Sequence, residues 1–253
     1  MLLAARHQAC LHARQSLLPR TRCCVQTRAV AMSVYAPSQP PIVFKPAGPH
    51  TATLIWLHGL GDSGAGWADV ADQFALPGLK LVFPTSSQLP VTLNGGMRMN
   101  AWFDLTSLSD IDTVEDRAGM QASTAHVRAL VEAEVSAGVP HNRIVVAGFS
   151  QGGAIALSVG LRTPQPLAGV VALSTWLPLR DDYPGALGEG AKATPVLQCH
   201  GTQDQVVRTA YGQQTHEAMK AMGMNTELKL YPMAHSACPQ ELDAVRAFLQ
   251  SRL

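Results

Sequence analysis

The run Gly148-Phe149-Ser150-Gln151-Gly152 has the residue types and spacing of a serine nucleophile held on a tight turn. Residues 143–147 are rich in β-branched side chains and predict a buried strand, and residues 153–157 predict the first turns of a helix. A Gly-x-Ser-x-Gly turn in that context strains the serine backbone and exposes its hydroxyl at the helix N-terminus. An ordinary glycine-rich strand–helix turn is the alternative, and the other groups of an acyl-transfer site decide between the two.

Two further groups stand where acyl transfer needs them, each just after a predicted strand. Asp204 is the candidate acid, because Asp181 and Asp182 fall in a loop-rich excursion, and His235 is the candidate base. The three groups follow one another along the chain in the order Ser150, Asp204, His235. In acyl transfer the imidazole takes the serine proton, and the carboxylate fixes the imidazole tautomer. This chemistry requires no metal and no cofactor.

A glycine-rich loop, residues 58–64, follows the first predicted strand of the alternating pattern. Such a loop can present a backbone N–H to an oxyanion, and the residue after the nucleophile presents another. We therefore predict that the N–H groups of Leu60 and Gln151 form an oxyanion hole. A phosphate-binding loop is the alternative, but the loop lacks the glycine spacing of either common phosphate motif.

The elements that must position these groups alternate along the chain. Strands are predicted at 53–57, 79–83, 143–147, 167–174, 195–199 and 227–231, and helices at 67–75, 113–137, 209–222 and 239–249. Residues 84–111 and 175–193 are predicted to be irregular. Alternation of this kind predicts an α/β fold with a mostly parallel central sheet and helices on both faces. Ligands bind beyond the carboxyl ends of such strands, which is where the candidate groups fall.

Charge and hydropathy exclude two classes of protein. The chain has 253 residues, 47% of them apolar, and its formal net charge of +1 gives no basis for binding nucleic acid. The most apolar stretch, 167–179, is interrupted by Ser174 and Thr175, so no transmembrane helix is predicted. A chain of this length fits one catalytic domain, which we place at 51–253.

The first 31 residues differ from the rest in charge. They carry five arginines and no acid, whereas the remaining residues carry fourteen Lys and Arg against eighteen Asp and Glu. An acid-free, arginine-containing N-terminus predicts a transit peptide over 1–31 of a soluble intracellular protein. Chloroplast and mitochondrion both stay open, and a disordered tail on a cytoplasmic protein is the alternative. The proline-rich residues 32–50 are predicted to be a linker.

Several longer motifs occur in addition to the serine turn. They are Leu57-His58-Gly59-Leu60-Gly61-Asp62, Pro90-Val91-Thr92-Leu93-Asn94, Trp102-Phe103-Asp104, Gly148-Phe149-Ser150-Gln151-Gly152-Gly153-Ala154, Leu173-Ser174-Thr175-Trp176-Leu177-Pro178-Leu179 and Gln198-Cys199-His200-Gly201. On these residues the chain, from about residue 50 onward, resembles the acyl-protein thioesterase/lysophospholipase carboxylesterases of the α/β-hydrolase superfamily. The resemblance implies a serine hydrolase that cleaves acyl esters or thioesters. The implied substrates are palmitoylated proteins, lysophospholipids or small acyl esters.

The resemblance also implies where the acyl group binds. In the family, a loop matching 84–104 covers the site and helps to form an acyl channel. The residues predicted to line that channel here are Met97, Met99, Trp102, Trp176 and Leu177. Transient contact with a membrane surface fits such substrates, and the oligomeric state stays open.

Two positions depart from the family pattern. A proline usually follows the triad Asp closely, whereas Asp204 is followed by Gln205-Val206-Val207-Arg208, and the loop before His235 lacks the usual glycine. Both departures bear on leaving-group preference and neither removes a catalytic group. A short-chain carboxylesterase with only small-molecule substrates is one alternative function. A non-catalytic binding module on a hydrolase scaffold is another, although such modules generally lack a triad residue.

Overall fold

The computed structural model describes residues 34–35, 37, 39–109 and 114–253. The strands in these residues are β1 (Ile42–Phe44), β2 (Ala52–Leu57), β3 (Leu79–Phe83), β4 (Gln88–Val91), β5 (Met97–Asn100), β6 (Ile144–Phe149), β7 (Gly169–Leu173), β8 (Val196–Gly201) and β9 (Thr226–Tyr231). The α-helices are α1 (Ala71–Phe74), α2 (Arg117–Ser136), α3 (Gln151–Leu161), α4 (Thr209–Ala221) and α5 (Pro239–Arg252).

The central sheet has seven strands in the order β1-β3-β2-β6-β7-β8-β9. Strand β1 pairs antiparallel with β3, and every other neighbouring pair in the sheet is parallel. Strands β4 and β5 form a separate antiparallel hairpin. The prediction of a mostly parallel sheet is confirmed, and the carboxyl ends of β6, β8 and β9 share one edge.

Each central strand buries side chains on both faces, so two cores form. In β2, Ile55 and Leu57 pack on one face, whereas Leu54 and Trp56 pack on the other. The first core includes apolar residues of α2, α3 and α4, and the second includes those of α1 and α5. Helices therefore cover both faces of the sheet, as predicted. The continuous apolar runs of the strands follow from this two-sided burial.

Two segments differ from the prediction. Residues 42–44, predicted as part of a linker, form β1. This run is short and exposed, and it becomes a strand only because the free edge of β3 offers backbone groups to pair with. Residues 88–100, predicted to be irregular, form the β4–β5 hairpin around Gly95 and Gly96, which both have positive φ.

Helix α2 begins at Arg117 rather than at the predicted residue 113. The Asp116 side chain accepts a hydrogen bond from the Gly119 N–H at 2.9 Å, which makes Asp116 the N-terminal cap. The predicted helix 67–75 is a 3₁₀ turn at Ala65–Val70 that continues into the short α1.

The predicted transit peptide, residues 1–31, lies outside the described residues. Within the part of the chain that the structure describes, no helix combines the length and apolar character needed to span a bilayer.

Candidate active site

Ser150 occupies the turn between β6 and α3 with a φ of 53° and a ψ of −120°. Positive φ is strained for a residue with a side chain, and the Ser150 N–H is held by the Leu173 carbonyl at 2.8 Å. The flanking glycines are required by close packing. A Cβ on Gly148 would collide with the Gly152 backbone, and a Cβ on Gly152 would collide with the Leu57 carbonyl. The turn therefore has the geometry of a nucleophile elbow.

The structure brings the Ser150 hydroxyl, the His235 imidazole and the Asp204 carboxylate together in a row. Ser150 Oγ lies 3.0 Å from His235 Nε2, and His235 Nδ1 lies 2.7 Å from Asp204 Oδ2. A carboxylate only accepts hydrogen bonds, so Nδ1 carries the proton and Nε2 accepts from the serine O–H. This arrangement can move the serine proton to the imidazole.

Asp204 is almost fully buried, with 3% of its surface exposed. Its Oδ1 accepts hydrogen bonds from the N–H groups of Val206 and Val207, both at 2.9 Å. His200 lies beside it, with Nε2 donating to the Val207 carbonyl at 2.8 Å and lying 3.5 Å from Asp204 Oδ2. Burial lowers the pKa of His200, so this ring acts as a neutral donor that braces the loop.

The alternative acids lie elsewhere. Asp182 binds the guanidinium groups of Arg117 and Arg162, whose hydrogen bonds hold the pKa of that carboxyl below its usual value. Asp181 is exposed in the same 3₁₀ turn. Neither lies in the row that contains Ser150 and His235.

The loop after β2 is fixed by the buried ring of His58. His58 Nε2 accepts a hydrogen bond from the Ser86 N–H at 3.0 Å, so Nδ1 carries the proton and donates to the Gly59 carbonyl at 2.6 Å. Burial lowers the pKa of His58, which keeps the ring neutral. Leu60, the predicted hole donor, follows directly and lines the cavity beside Ser150.

Gln151 joins three segments of the site. It is the first residue of α3, where backbone N–H groups have no partner within the helix. Its Oε1 accepts from the Trp102 N–H at 2.8 Å, and its Nε2 donates to the Phe103 carbonyl at 2.7 Å. Trp102 Nε1 in turn donates to the His58 carbonyl at 2.9 Å. The elbow, the loop after β2 and the segment after β5 are therefore interlocked.

A cavity of about 420 Å³ opens beside Ser150. Ser150, Gln151, His235, Asp62 and Asn94 bring polar groups to its lining. Most of the remaining lining is apolar and consists of Leu60, Trp67, Leu93, Leu105, Leu108, Phe149, Trp176, Val206 and Val207. The His235 ring packs on Phe149 with centroids 4.7 Å apart. A reacting group with an apolar tail fits this distribution of polar and apolar surface.

Residues 39–253 match the family described as phospholipase/carboxylesterase. The chain belongs to this family. Acyl-protein thioesterase 1 of Mycosarcoma maydis is 46% identical over 217 residues, which cover 79% of this chain and 90% of that protein. Acyl-protein thioesterase 1 of Neurospora crassa is 39% identical over 226 residues, which cover 85% of this chain and 92% of that protein.

Solved structures of relatives agree with this assignment. The crystal structure of Arabidopsis thaliana SOBER1 has a TM-score of 0.76 at 32% identity and covers 80% of this chain and 99% of its own. The crystal structure of Zea mays acyl-protein thioesterase 2 has a TM-score of 0.75 at 35% identity and covers 84% and 98% respectively. The α/β-hydrolase fold and the family resemblance are confirmed. As a member of the phospholipase/carboxylesterase family, the protein is a carboxylic-ester hydrolase.

Of the five residues that the family resemblance assigned to an acyl channel, Trp176 lines this cavity and the other four do not. Met97 is 66% exposed on the β4–β5 hairpin, and the Met99 sulfur accepts a hydrogen bond from Asn94 Nδ2 at 3.2 Å. Trp102 and Leu177 are buried in the core. The hairpin and core packing take these side chains away from the cavity surface.

Other members of the lining were missed in the sequence. Leu105 and Leu108 fall in a segment without periodicity, so no local pattern indicated that they face a cavity. Val206 and Val207 had a signal, since two adjacent apolar residues just beyond Asp204 and Gln205 at a strand end are unusual for an exposed loop. In this chain the candidate catalytic residues are therefore easier to predict from sequence than the residues that line the cavity around them.

Proposed function

We propose that this protein hydrolyses acyl thioesters and acyl esters, S-acylated proteins among them, through an acyl-serine formed on Ser150. The observation that carries the proposal is the 3.0 Å contact between Ser150 Oγ and His235 Nε2 at an apolar cavity. Asp204 and His235 act as the acid and base partners of the nucleophile, and the Leu60 and Gln151 N–H groups act as the oxyanion hole.

In the first half-reaction, Ser150 Oγ attacks the carbonyl carbon while His235 Nε2 takes the serine proton. The carbonyl oxygen becomes an oxyanion and accepts hydrogen bonds from the Leu60 and Gln151 N–H groups. Each such donor typically lowers the barrier by about 3 kcal/mol. Asp204 stabilises the imidazolium. The tetrahedral intermediate then expels the thiolate or alkoxide, which takes the proton from His235 Nε2.

In the second half-reaction, water attacks the acyl-serine carbonyl and gives a proton to His235 Nε2. The same two N–H groups hold the new oxyanion. Its collapse releases the carboxylic acid, and the Ser150 oxygen recovers its proton from the imidazolium. The products are a fatty acid and a free thiol or alcohol.

Two observations support acylated substrates. The cavity lining is mostly apolar, as a site for a hydrocarbon chain requires. Three of the relatives that match most of this chain are named acyl-protein thioesterases. Lysophospholipids and small acyl esters carry the same reacting carbonyl and belong to the same proposal.

The test is a series of p-nitrophenyl esters from acetyl to palmitoyl, run beside an S-palmitoylated peptide. We expect turnover of both oxygen esters and the thioester. Ser150→Ala should lower kcat by about a thousandfold or more and abolish labelling by a fluorophosphonate probe. Ser251→Ala, on α5, is the matched control and should keep both. Undiminished turnover in Ser150→Ala would reject the mechanism.

The same series separates the alternative functions. Turnover confined to short oxygen esters identifies a small-molecule carboxylesterase. No turnover and no probe labelling of the wild-type protein identifies a binding module on a hydrolase scaffold.

The arginine-containing residues 1–31 are proposed to be an organelle address. Fusing the first forty residues to a fluorescent reporter tests this, and diffuse cytoplasmic fluorescence would contradict it.

A further inference from the structure

Arg208 and Tyr211 converge on one backbone oxygen, the carbonyl of Ser109. Arg208 Nη2 donates to it at 2.8 Å, and the Tyr211 hydroxyl donates to it at 2.8 Å. The two side chains also support each other, since the guanidinium lies 5.3 Å from the Tyr211 ring centroid and Nη2 is 3.2 Å from its hydroxyl. We call Arg208, Tyr211 and the Ser109 carbonyl the latch.

The latch joins two walls of the cavity beside Ser150. Arg208 directly follows Val206 and Val207, which line the cavity, and Ser109 directly follows Leu108, which also lines it. One wall belongs to the loop that carries Asp204, and the other belongs to the segment after β5. The contact crosses 99 residues of sequence, so it fixes the distance between walls that are remote along the chain.

We propose that the latch limits the length of acyl chain that the cavity accepts. In this proposal the closed latch ties the segment of Leu108 to the loop of Val206 and Val207, which all line the cavity, and thereby limits the apolar space. With the latch open, the segment carrying Leu108 moves outward and the apolar space extends for a longer chain. This inference rests on the proposed function, because it concerns the acyl group of that reaction.

The sequence offers a clean way to remove the latch. The family resemblance leads us to expect a proline shortly after Asp204, and Arg208 lies in that stretch. The φ of Arg208, −51°, is within the range that a proline ring imposes. Arg208→Pro therefore removes the guanidinium and keeps this dihedral. Arg208→Lys retains a charged donor, and Tyr211→Phe removes the hydroxyl, which is the second donor to the Ser109 carbonyl and an acceptor for Arg208 Nη2. Arg252, which stacks over Phe248 at 5.5 Å on α5, offers a matched arginine–aromatic control.

The experiment compares kcat/KM for palmitoyl and butyryl p-nitrophenyl esters in each variant. Arg208→Pro should raise the palmitoyl-to-butyryl ratio by about fivefold, the shift that losing one net hydrogen bond allows. Tyr211→Phe should raise it less, Arg208→Lys should restore most of the wild-type ratio, and Arg252→Ala should leave it unchanged. An unchanged ratio in Arg208→Pro, or an equal shift in Arg252→Ala, overturns the proposal.

Hydrogen–deuterium exchange supplies a readout that does not depend on turnover. Exchange in residues 105–109 should quicken in Arg208→Pro and stay unchanged in Arg252→Ala, and equal exchange in both also overturns the proposal. If the wild-type protein hydrolyses no ester, the proposed function is rejected, and the role of the latch in chain length is rejected with it. An active enzyme with an unaltered ratio rejects the latch alone.

Discussion

The Gln151 side chain accepts a hydrogen bond from the Trp102 backbone N–H at 2.8 Å, and this contact joins the elbow to the segment after β5. The same residue offers its own backbone N–H at the start of α3. One position therefore contributes a proposed oxyanion donor through the main chain and positions the surrounding segments through the side chain. These two contributions can be separated, because substitution changes only the second.

Gln151→Ala should weaken both stability and catalysis. It leaves the buried Trp102 N–H and Phe103 carbonyl without their partners, which should cost about 2–4 kcal/mol in the free energy of unfolding. The backbone N–H remains, so kcat should fall without being abolished. Urea denaturation and steady-state kinetics measure the two effects. Gln250→Ala, exposed on α5, should stay within about 0.5 kcal/mol of wild type. A fully stable Gln151→Ala protein would contradict the interlock.

Asp204→Asn should fold and lose nearly all activity. Its amide oxygen can still accept from the Val206 N–H, but its amide NH₂ group then faces His235 Nδ1. That donor favours the tautomer protonated at Nε2, which leaves no acceptor for the serine proton. We expect kcat to fall by about a thousandfold or more, measured with any ester that the wild type cleaves.

The control is Asp181→Asn, which changes the exposed acid that the sequence offered as an alternative. It should retain kcat within about twofold, as exposed substitutions remote from the site usually do. If Asp204→Asn retained more than a tenth of the wild-type kcat, Asp204 would not be the group that orients His235.

Gly152→Ala should destabilise the protein by about 2 kcal/mol or more, because its Cβ would collide with the Leu57 carbonyl at the end of β2. Gly185→Ala is the comparison. A Cβ there meets its nearest atom, the Asp182 carbonyl oxygen, at 3.4 Å, so the cost should stay below about 1 kcal/mol. Thermal and urea unfolding measure the loss of stability in the two variants. An equal loss in both would contradict the role of close backbone packing at the elbow.

Glu241 predicts a pH dependence of stability. The side chain is fully buried, and neither carboxylate oxygen has a hydrogen-bond partner among the described residues. Burial raises the pKa of this carboxyl to about 8. The folded protein therefore keeps a proton that the unfolded chain releases near pH 4.3, so this group's contribution to stability is lost as the pH rises from about 5 to about 8.

Glu241→Gln removes that titration. Relative to wild type, it should gain about 2–4 kcal/mol in the free energy of unfolding between pH 5 and pH 8.5, measured by urea denaturation at both values. Glu217→Gln, whose side chain is 68% exposed, should show no comparable change with pH. A stability difference that is the same at both pH values would mean that Glu241 is ionised in the folded protein.

The sequence predicted the sheet and the rim of the site for a shared physical reason. Strands buried on both faces leave long apolar runs, and polar residues just beyond those runs must lie at the edge of the sheet. Ser150, Asp204 and His235 were predicted in this way. The order of the three groups along the chain added the assignment of roles.

The remaining features depend on contacts that no local pattern records. Strand β1 exists because β3 offers it a free edge, and the β4–β5 hairpin interrupts a segment without regular periodicity. Leu105 and Leu108 reach the cavity only through the fold of that segment. Met97 is exposed and Leu177 is buried, so the position of an apolar residue near a site in the sequence does not decide whether it faces solvent, the core or a cavity.

Strand β9 is the last strand in the sheet order, and its residues are less buried than those of β6. The proposed nucleophile Ser150 thus follows a central, buried strand, whereas the proposed proton acceptor His235 follows the strand at the edge of the sheet. Peripheral strands open at lower free energy than central ones. Gentle heating should therefore abolish enzymatic activity at a temperature where circular dichroism still shows the native helix content. Cooling should restore the activity.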